Sequence, residues 1–237
     1  MDAIISIASI IAMLCGVGAV ISLLRPRSVD WRWLAIAAGL VLLNDLLLTN
    51  AYGLIRDVLP GRWNWQGKIL ALGATLAIAM TPAFGLRPAG ITAPQAPGSL
   101  RAALPVALLY CSFFLAIAIA FPDEPPTRET IAFQLTMPGV EEELFYRGLL
   151  LLALDRAFTA RKRLLEVQWG WGAIISCALF GLTHAFAYAE GSYSFDPIYM
   201  ALTAVPSLIA IWLRLRTGSV LIPVLLHNFG NAIGLLV

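Results

Sequence analysis

The sequence predicts an all-α fold, a polytopic membrane bundle of about eight transmembrane helices. Of its 237 residues, 59% are hydrophobic and only 13% charged, and mean hydropathy is +0.82. A water-soluble domain of this length carries more polar surface than that. The apolar residues also gather into stretches close to the roughly 20 residues that cross a bilayer core. Backbone inside hydrocarbon has to satisfy its own hydrogen bonds, which selects helices for such stretches.

The predicted spans are 3–24, 33–49, 69–84, 102–121, 131–153, 172–187, 197–213 and 219–237. The first is preceded by Asp2 and followed by Arg25 and Arg27, the reverse of a secretory signal, so it reads as a retained helix. Turn-forming clusters separate several spans, notably Leu59-Pro60-Gly61, the Pro-rich run 93–98 and the run 122–126. Cys15, Cys111 and Cys177 fall singly in different apolar runs, which gives neither a disulfide framework nor a zinc-knuckle spacing. The formal charge of +2 sits in short loops and points to no nucleic-acid partner. Loops after the odd-numbered spans hold Arg25, Arg27, Arg32, Arg87, Arg101, Arg156, Arg161, Lys162, Arg163, Arg214 and Arg216. The alternate loops hold Arg56, Arg62, Lys68 and Arg128. The positive-inside rule then makes the first set cytoplasmic and puts both termini outside.

Against this background, Glu141-Glu142-Glu143 and Arg147 stand within one predicted span. A charge near the bilayer centre costs about 2.5–3.5 kcal/mol on insertion scales, so these groups need partners. Glu143 and Arg147 are four apart with the acid first, the favourable order for an ion pair on one helix face. Glu142 lies about 100° round the helix and has to find another partner. Without a cation of its own it has the character of a general base. Acids at a helix start near the interface are the plainer reading, since they suit the positive end of the dipole.

Both histidines lie in predicted spans. Phe180 precedes His184 by one turn, and Asn231 follows His227 by one turn. Intramembrane polar groups turn inward towards each other or water, and one shared cavity satisfies them all. There, Glu142 and His184 would polarise a water, while His227 and Asn231 would supply two oxyanion donors from adjacent turns. Glu143 and Arg147 would be supporting, with Phe180 packed behind. No Gly-x-Ser-x-Gly elbow and no His-Glu-x-x-His motif occurs. Cys177 lies two turns from His184, about 10 Å of rise, which excludes a direct thiolate–imidazole pair in that helix.

Three ordered motifs, Glu142-Glu143-x-x-x-Arg147, Phe180-x-x-x-His184 and His227-x-x-x-Asn231, resemble those of the CAAX prenyl endopeptidase and bacteriocin-processing (CPBP, Abi) family. The resemblance covers about residues 140–237. The whole chain reads as a single transmembrane domain over 1–237, with four amino-terminal spans in 1–121 and the catalytic core spans in 130–237, and the resemblance implies eight helices. It also implies a glutamic-type intramembrane endopeptidase that needs no cofactor. Glu142 and His184 activate water, His227 and Asn231 form the oxyanion hole, and Glu143 pairs with Arg147. Glu141 is an additional acid, expected near the helix start. The implied partner is a membrane-anchored or lipidated peptide or protein, cut near its terminus in the bilayer. The compact chain suits a multi-pass protein of a prokaryotic inner membrane. Three alternatives stay open: Glu142, His184 and His227 as ligands of a catalytic zinc, a proton-coupled transporter, and a non-enzymatic immunity protein.

Overall fold

The computed structural model describes residues 1–59, 61–121 and 125–237, so the predicted turns at Pro60 and at 122–124 lie outside the described residues. In chain order the elements are α1 (Asp2–Leu24), α2 (Trp31–Leu48), α3 (Asn50–Gly53), α4 (Trp65–Ala79), α5 (Leu100–Ala120), α6 (Arg128–Gln134) and α7 (Met137–Glu142). A π-helical stretch (Glu143–Leu150) and α8 (Leu151–Ala157) continue from α7. Then come a hairpin of β1 (Arg161–Leu164) and β2 (Val167–Gly170), α9 (Trp171–Ala185), a second hairpin of β3 (Phe186–Ala189) and β4 (Ser192–Phe195), α10 (Pro197–Thr217) and α11 (Leu221–Ala232).

The protein is mostly helical. Among the described residues, four helices, α1, α2, α5 and α10, are long and apolar enough to cross a membrane. Shorter apolar helices run over Trp171–Ala185 and Leu221–Leu235. α1 shows what solvent these helices are built for. Its buried residues, Ile7, Ile10, Leu14, Gly18 and Ile21, form one stripe at helical spacing. Its exposed faces still carry Ile4, Met13, Val17, Val20 and Leu23. A helix apolar all round with one packed stripe meets protein on that stripe and lipid elsewhere. The chain is an integral membrane protein.

Several predicted spans are shorter or interrupted. The run 131–153 is a helical series with a turn at Leu135 and Thr136. Pro138, in the first turn of α7, has no N–H to carry the hydrogen-bond ladder back into α6. The run 69–84 becomes α4, which ends at Ala79 shortly before Thr81-Pro82, where the residue before proline resists helical backbone. The run 172–187 stops at Ala185, because the aromatic segment beyond it forms a hairpin. Glu190 and Gly191, with φ of 52° and 80°, supply the two left-handed residues of its tight turn.

The chain divides into two compact units, Met1–Asp45 with Leu150–Trp212, and Leu46–Leu149 with Leu213–Val237. In the first, α9 packs on α8 and α1. Gly172 is buried and a Cβ there would meet the α8 backbone at Leu154 and Asp155. The β3–β4 hairpin rests on α1, with Tyr188 N–H donating to Ser6 Oγ at 2.8 Å and the Tyr193 and Ser9 hydroxyls 3.0 Å apart. In the second unit, α7 packs on α4 and α11, and α11 on α5. The loop between α4 and α5 is tied to the start of α11 by Val220 N–H on Gly90 O and by a Ser219 hydroxyl donating to Thr92 O.

Candidate active site

The second unit gathers most of the predicted polar residues, starting from α4. Asn64 caps that helix, accepting from Gly67 N–H at 3.0 Å and donating from Nδ2 to Leu48 O at 2.7 Å. Gln66, buried beside it, accepts from Val58 N–H and donates to Asn50 Oδ1 and Arg56 O. The helix start is therefore fixed, and Lys68 follows one turn after the cap. Below it, Trp63 stacks on Phe133 with ring centroids 4.9 Å apart. Glu129 accepts from Arg62 N–H, Trp63 N–H and Trp65 Nε1–H, which holds α6 against the same segment.

α7 then delivers the acids. Lys68 Nζ donates to Glu141 Oε2 at 2.7 Å and to Glu142 Oε1 at 2.5 Å. Glu141, expected near a helix start, instead closes the last turn of α7 and is fully buried. Glu142 was expected to lack its own cation, yet it has Lys68. Lysine has four methylenes, enough for the head group of a loop-side residue to reach inward along apolar surface. The remaining Glu142 oxygen, Oε2, lies 3.6 Å from His227 Nε2.

Glu143 opens the π-helical stretch. Its i→i+5 bonding widens the turn, and such stretches concentrate at functional sites. Glu143 Oε2 and Arg147 Nε are 3.2 Å apart, with the side chains 1% and 2% exposed, so the predicted pair forms and is buried. Glu143 Oε1 accepts from His227 Nδ1–H at 2.8 Å. A carboxylate can only accept, so Nδ1 carries the proton and Nε2 is turned towards Glu142. Nδ1 is thus engaged by Glu143, and Nε2 is the ring nitrogen facing Glu142. Asn231 is exposed one turn further along α11.

Phe180 and His184 belong to the first unit, on α9. Phe180 is buried, but His184, expected deep in a span, is the penultimate residue of the helix and exposed. The two rings meet edge to face at 4.7 Å, and His184 Nδ1 donates to Phe180 O at 2.8 Å. A carbonyl cannot donate, so the proton sits on Nδ1 and Nε2 is the basic nitrogen.

Residues 127–233 match the family described as Type II CAAX prenyl endopeptidase Rce1-like. This segment is similar to the Rce1-like CAAX endopeptidase domain. No curated protein and no solved structure matches the chain. The Rce1-like family is a protease family, and its matched segment contains Glu142, Glu143, Arg147, Phe180, His184, His227 and Asn231. Lys68 lies outside it. Sequence reading missed this lysine because it stands at the mouth of a predicted span, where loop charge is ordinary. Its one signal was the unpartnered carboxylate left over at Glu142.

Asn228 was also missed. Its Oδ1 accepts from Gly139 N–H at 2.8 Å, a buried bond that fastens α7 to α11. At Gly139 a Cβ would run into Asn228 Oδ1 and the Val224 carbonyl. Backbone cannot swing aside, and overpacking of this kind costs about 1–3 kcal/mol. Gly139→Ala is expected to lower thermal stability in detergent by several degrees and to reduce yield. A variant as stable as wild type would contradict the close approach of the two helices.

Proposed function

We propose that the chain is an intramembrane endopeptidase. It hydrolyses a peptide bond near the terminus of a membrane-associated or lipidated protein, with Glu142 as general base. The observation that carries this reading is the orientation of the second unit's acids around one imidazole. Glu143 fixes the His227 tautomer, and Glu142 Oε2 stands 3.6 Å from Nε2. One water can bond both groups at that separation.

With both its protons accepted, by Oε2 and Nε2, the water turns its lone pairs to the scissile carbonyl. As the C–O bond forms, one proton passes to Glu142 or His227, and the carbonyl π electrons become the oxyanion. Nε2–H, once formed, can donate to that oxyanion or to the departing amine, and the Asn231 amide offers a second donor one turn away. Collapse of the tetrahedral intermediate breaks the C–N bond, and the amine leaves with the transferred proton. The motif resemblance also assigns His184 to water activation; within its own unit its ring packs edge to face on Phe180, and its Nδ1–H is taken by Phe180 O. The buried Glu143–Arg147 pair keeps the His227 partner in place.

No cofactor is invoked in this reading. Lys68 already supplies a cation to Glu142, the role a metal would otherwise take. Removing metal with a chelator is expected to leave turnover intact. Loss of turnover that zinc alone restores would assign Glu142, His184 and His227 to a metal centre instead. The four long apolar helices fit a multi-pass protein, and we place it in a prokaryotic inner membrane. Comparative profiling of membrane peptides from cells carrying wild-type or Glu142→Gln protein tests the activity and reveals its substrate together. Peptide pools indistinguishable between the two would defeat the reading, and a lost phenotype in neither Glu142→Ala nor His184→Ala cells would favour a non-enzymatic role.

A further inference from the structure

The second unit contains a basic residue that none of the three motifs includes. We propose that Lys68 is a positioning residue for Glu142: it clamps one carboxylate oxygen so that the other faces His227. This role rests on the endopeptidase reading of the same site.

Lys68 comes from α4, more than seventy residues before the acids, and its side chain is only 11% exposed. The Asn64 cap and the buried Gln66 fix the turn that carries it, so the ammonium is delivered by rigid backbone rather than by a mobile loop. Its contacts distinguish the two oxygens of Glu142. Oε1 takes the ammonium at 2.5 Å, and Oε2 is left 3.6 Å from His227 Nε2. The terminal torsion of a glutamate is broad and roughly two-fold, so nothing in the side chain itself selects that orientation. A strong charge-assisted bond to one oxygen does.

The charge balance agrees. Glu141, Glu142 and Glu143 bring three negative charges, and Lys68 and Arg147 bring two positive ones. Two cations thus stand among three acids in a mostly buried cluster. Lys68 is shared by Glu141 and Glu142, while Glu143 meets Arg147 and His227. Glu141 thus serves as the second anchor of the ammonium, keeping it from being drawn wholly onto the reacting carboxylate.

The test uses full-length protein in proteoliposomes, with a farnesylated Cys-aliphatic-aliphatic-X reporter peptide as the probe. Lys68→Met is expected to fold poorly, since it strands two neighbouring carboxylates. Lys68→Met/Glu141→Gln removes one charge of each sign and is expected to recover yield. Its kcat should nevertheless be at least about tenfold below that of Glu141→Gln, with KM within about twofold, because substrate binding is untouched while the base is misaimed. Lys68→Arg, which keeps a donor at that place, should regain part of the lost kcat. A double variant as fast as Glu141→Gln would overturn the proposal, leaving Lys68 as no more than the counter-ion of Glu141. Failure of Lys68→Arg to surpass Lys68→Met in kcat, both measured per folded protein, would also overturn it. Wild-type protein that shows no Glu142-dependent cleavage of the probe would overturn the endopeptidase reading itself, and the Lys68 role with it.

Discussion

Replacing Glu142 with Gln is expected to lower turnover by roughly 10²- to 10⁴-fold, the usual contribution of a positioned general base, while protein yield and thermal stability stay close to wild type. Glutamine keeps the shape of glutamate and removes the proton acceptor. The fold survives because Lys68 retains Glu141 at 2.7 Å, so the substitution leaves no buried cation alone. KM should change little, since the carboxylate is assigned to the water rather than to the substrate. Single-turnover cleavage by purified protein in proteoliposomes measures this directly. A Glu142→Gln variant with more than a tenth of wild-type turnover would remove Glu142 from the role of base.

Arg147→Ala should do the opposite: damage the fold first and the chemistry only in consequence. Arg147 and Glu143 are almost completely buried, and breaking such a pair by deleting one partner costs about 3–5 kcal/mol, because the survivor stays behind as an uncompensated charge. Set against a total stability of about 5–15 kcal/mol, that loss is expected to show as low yield and a marked fall in Tm in detergent. Glu143 would keep His227 as its one remaining partner among those described above, so the imidazole orientation suffers with it. Glu143→Gln/Arg147→Met, which removes both charges, should recover much of the stability while turnover stays depressed. Equal expression of Arg147→Ala and Glu142→Gln would contradict this division between a supporting pair and a reacting carboxylate.

The expected pairing of Glu143 with Arg147 holds because it is local: two residues four apart on one helical stretch lie close enough to meet. The reading of Glu142 as a carboxylate without a cation failed for the complementary reason. Its partner is far away in sequence, on a helix whose start is set by an Asn64 cap, and no periodicity links the two. The expected burial of His184 failed on boundary placement. The hydropathy of 172–187 does not reveal that Phe186–Phe195 folds back as a hairpin and leaves His184 at an exposed helix end. The break in 131–153 was in part readable from Pro138, whereas the π-helical stretch after it had no sequence signal.

By itself, the sequence determined that the chain lives in a membrane, that it is built from helices, and which scarce ionisable residues stand in its apolar runs. Hydropathy, helical spacing and motif order are short-range properties, and a linear reading captures them. Only the tertiary structure decided which carboxylate meets which cation, which ring nitrogen of His227 faces Glu142, and that Lys68 and Asn228 contact the acid-bearing helix. Those choices depend on contacts between elements far apart in the chain. Burial forces every polar group there to find a partner, but it does not say in advance which helix will provide it.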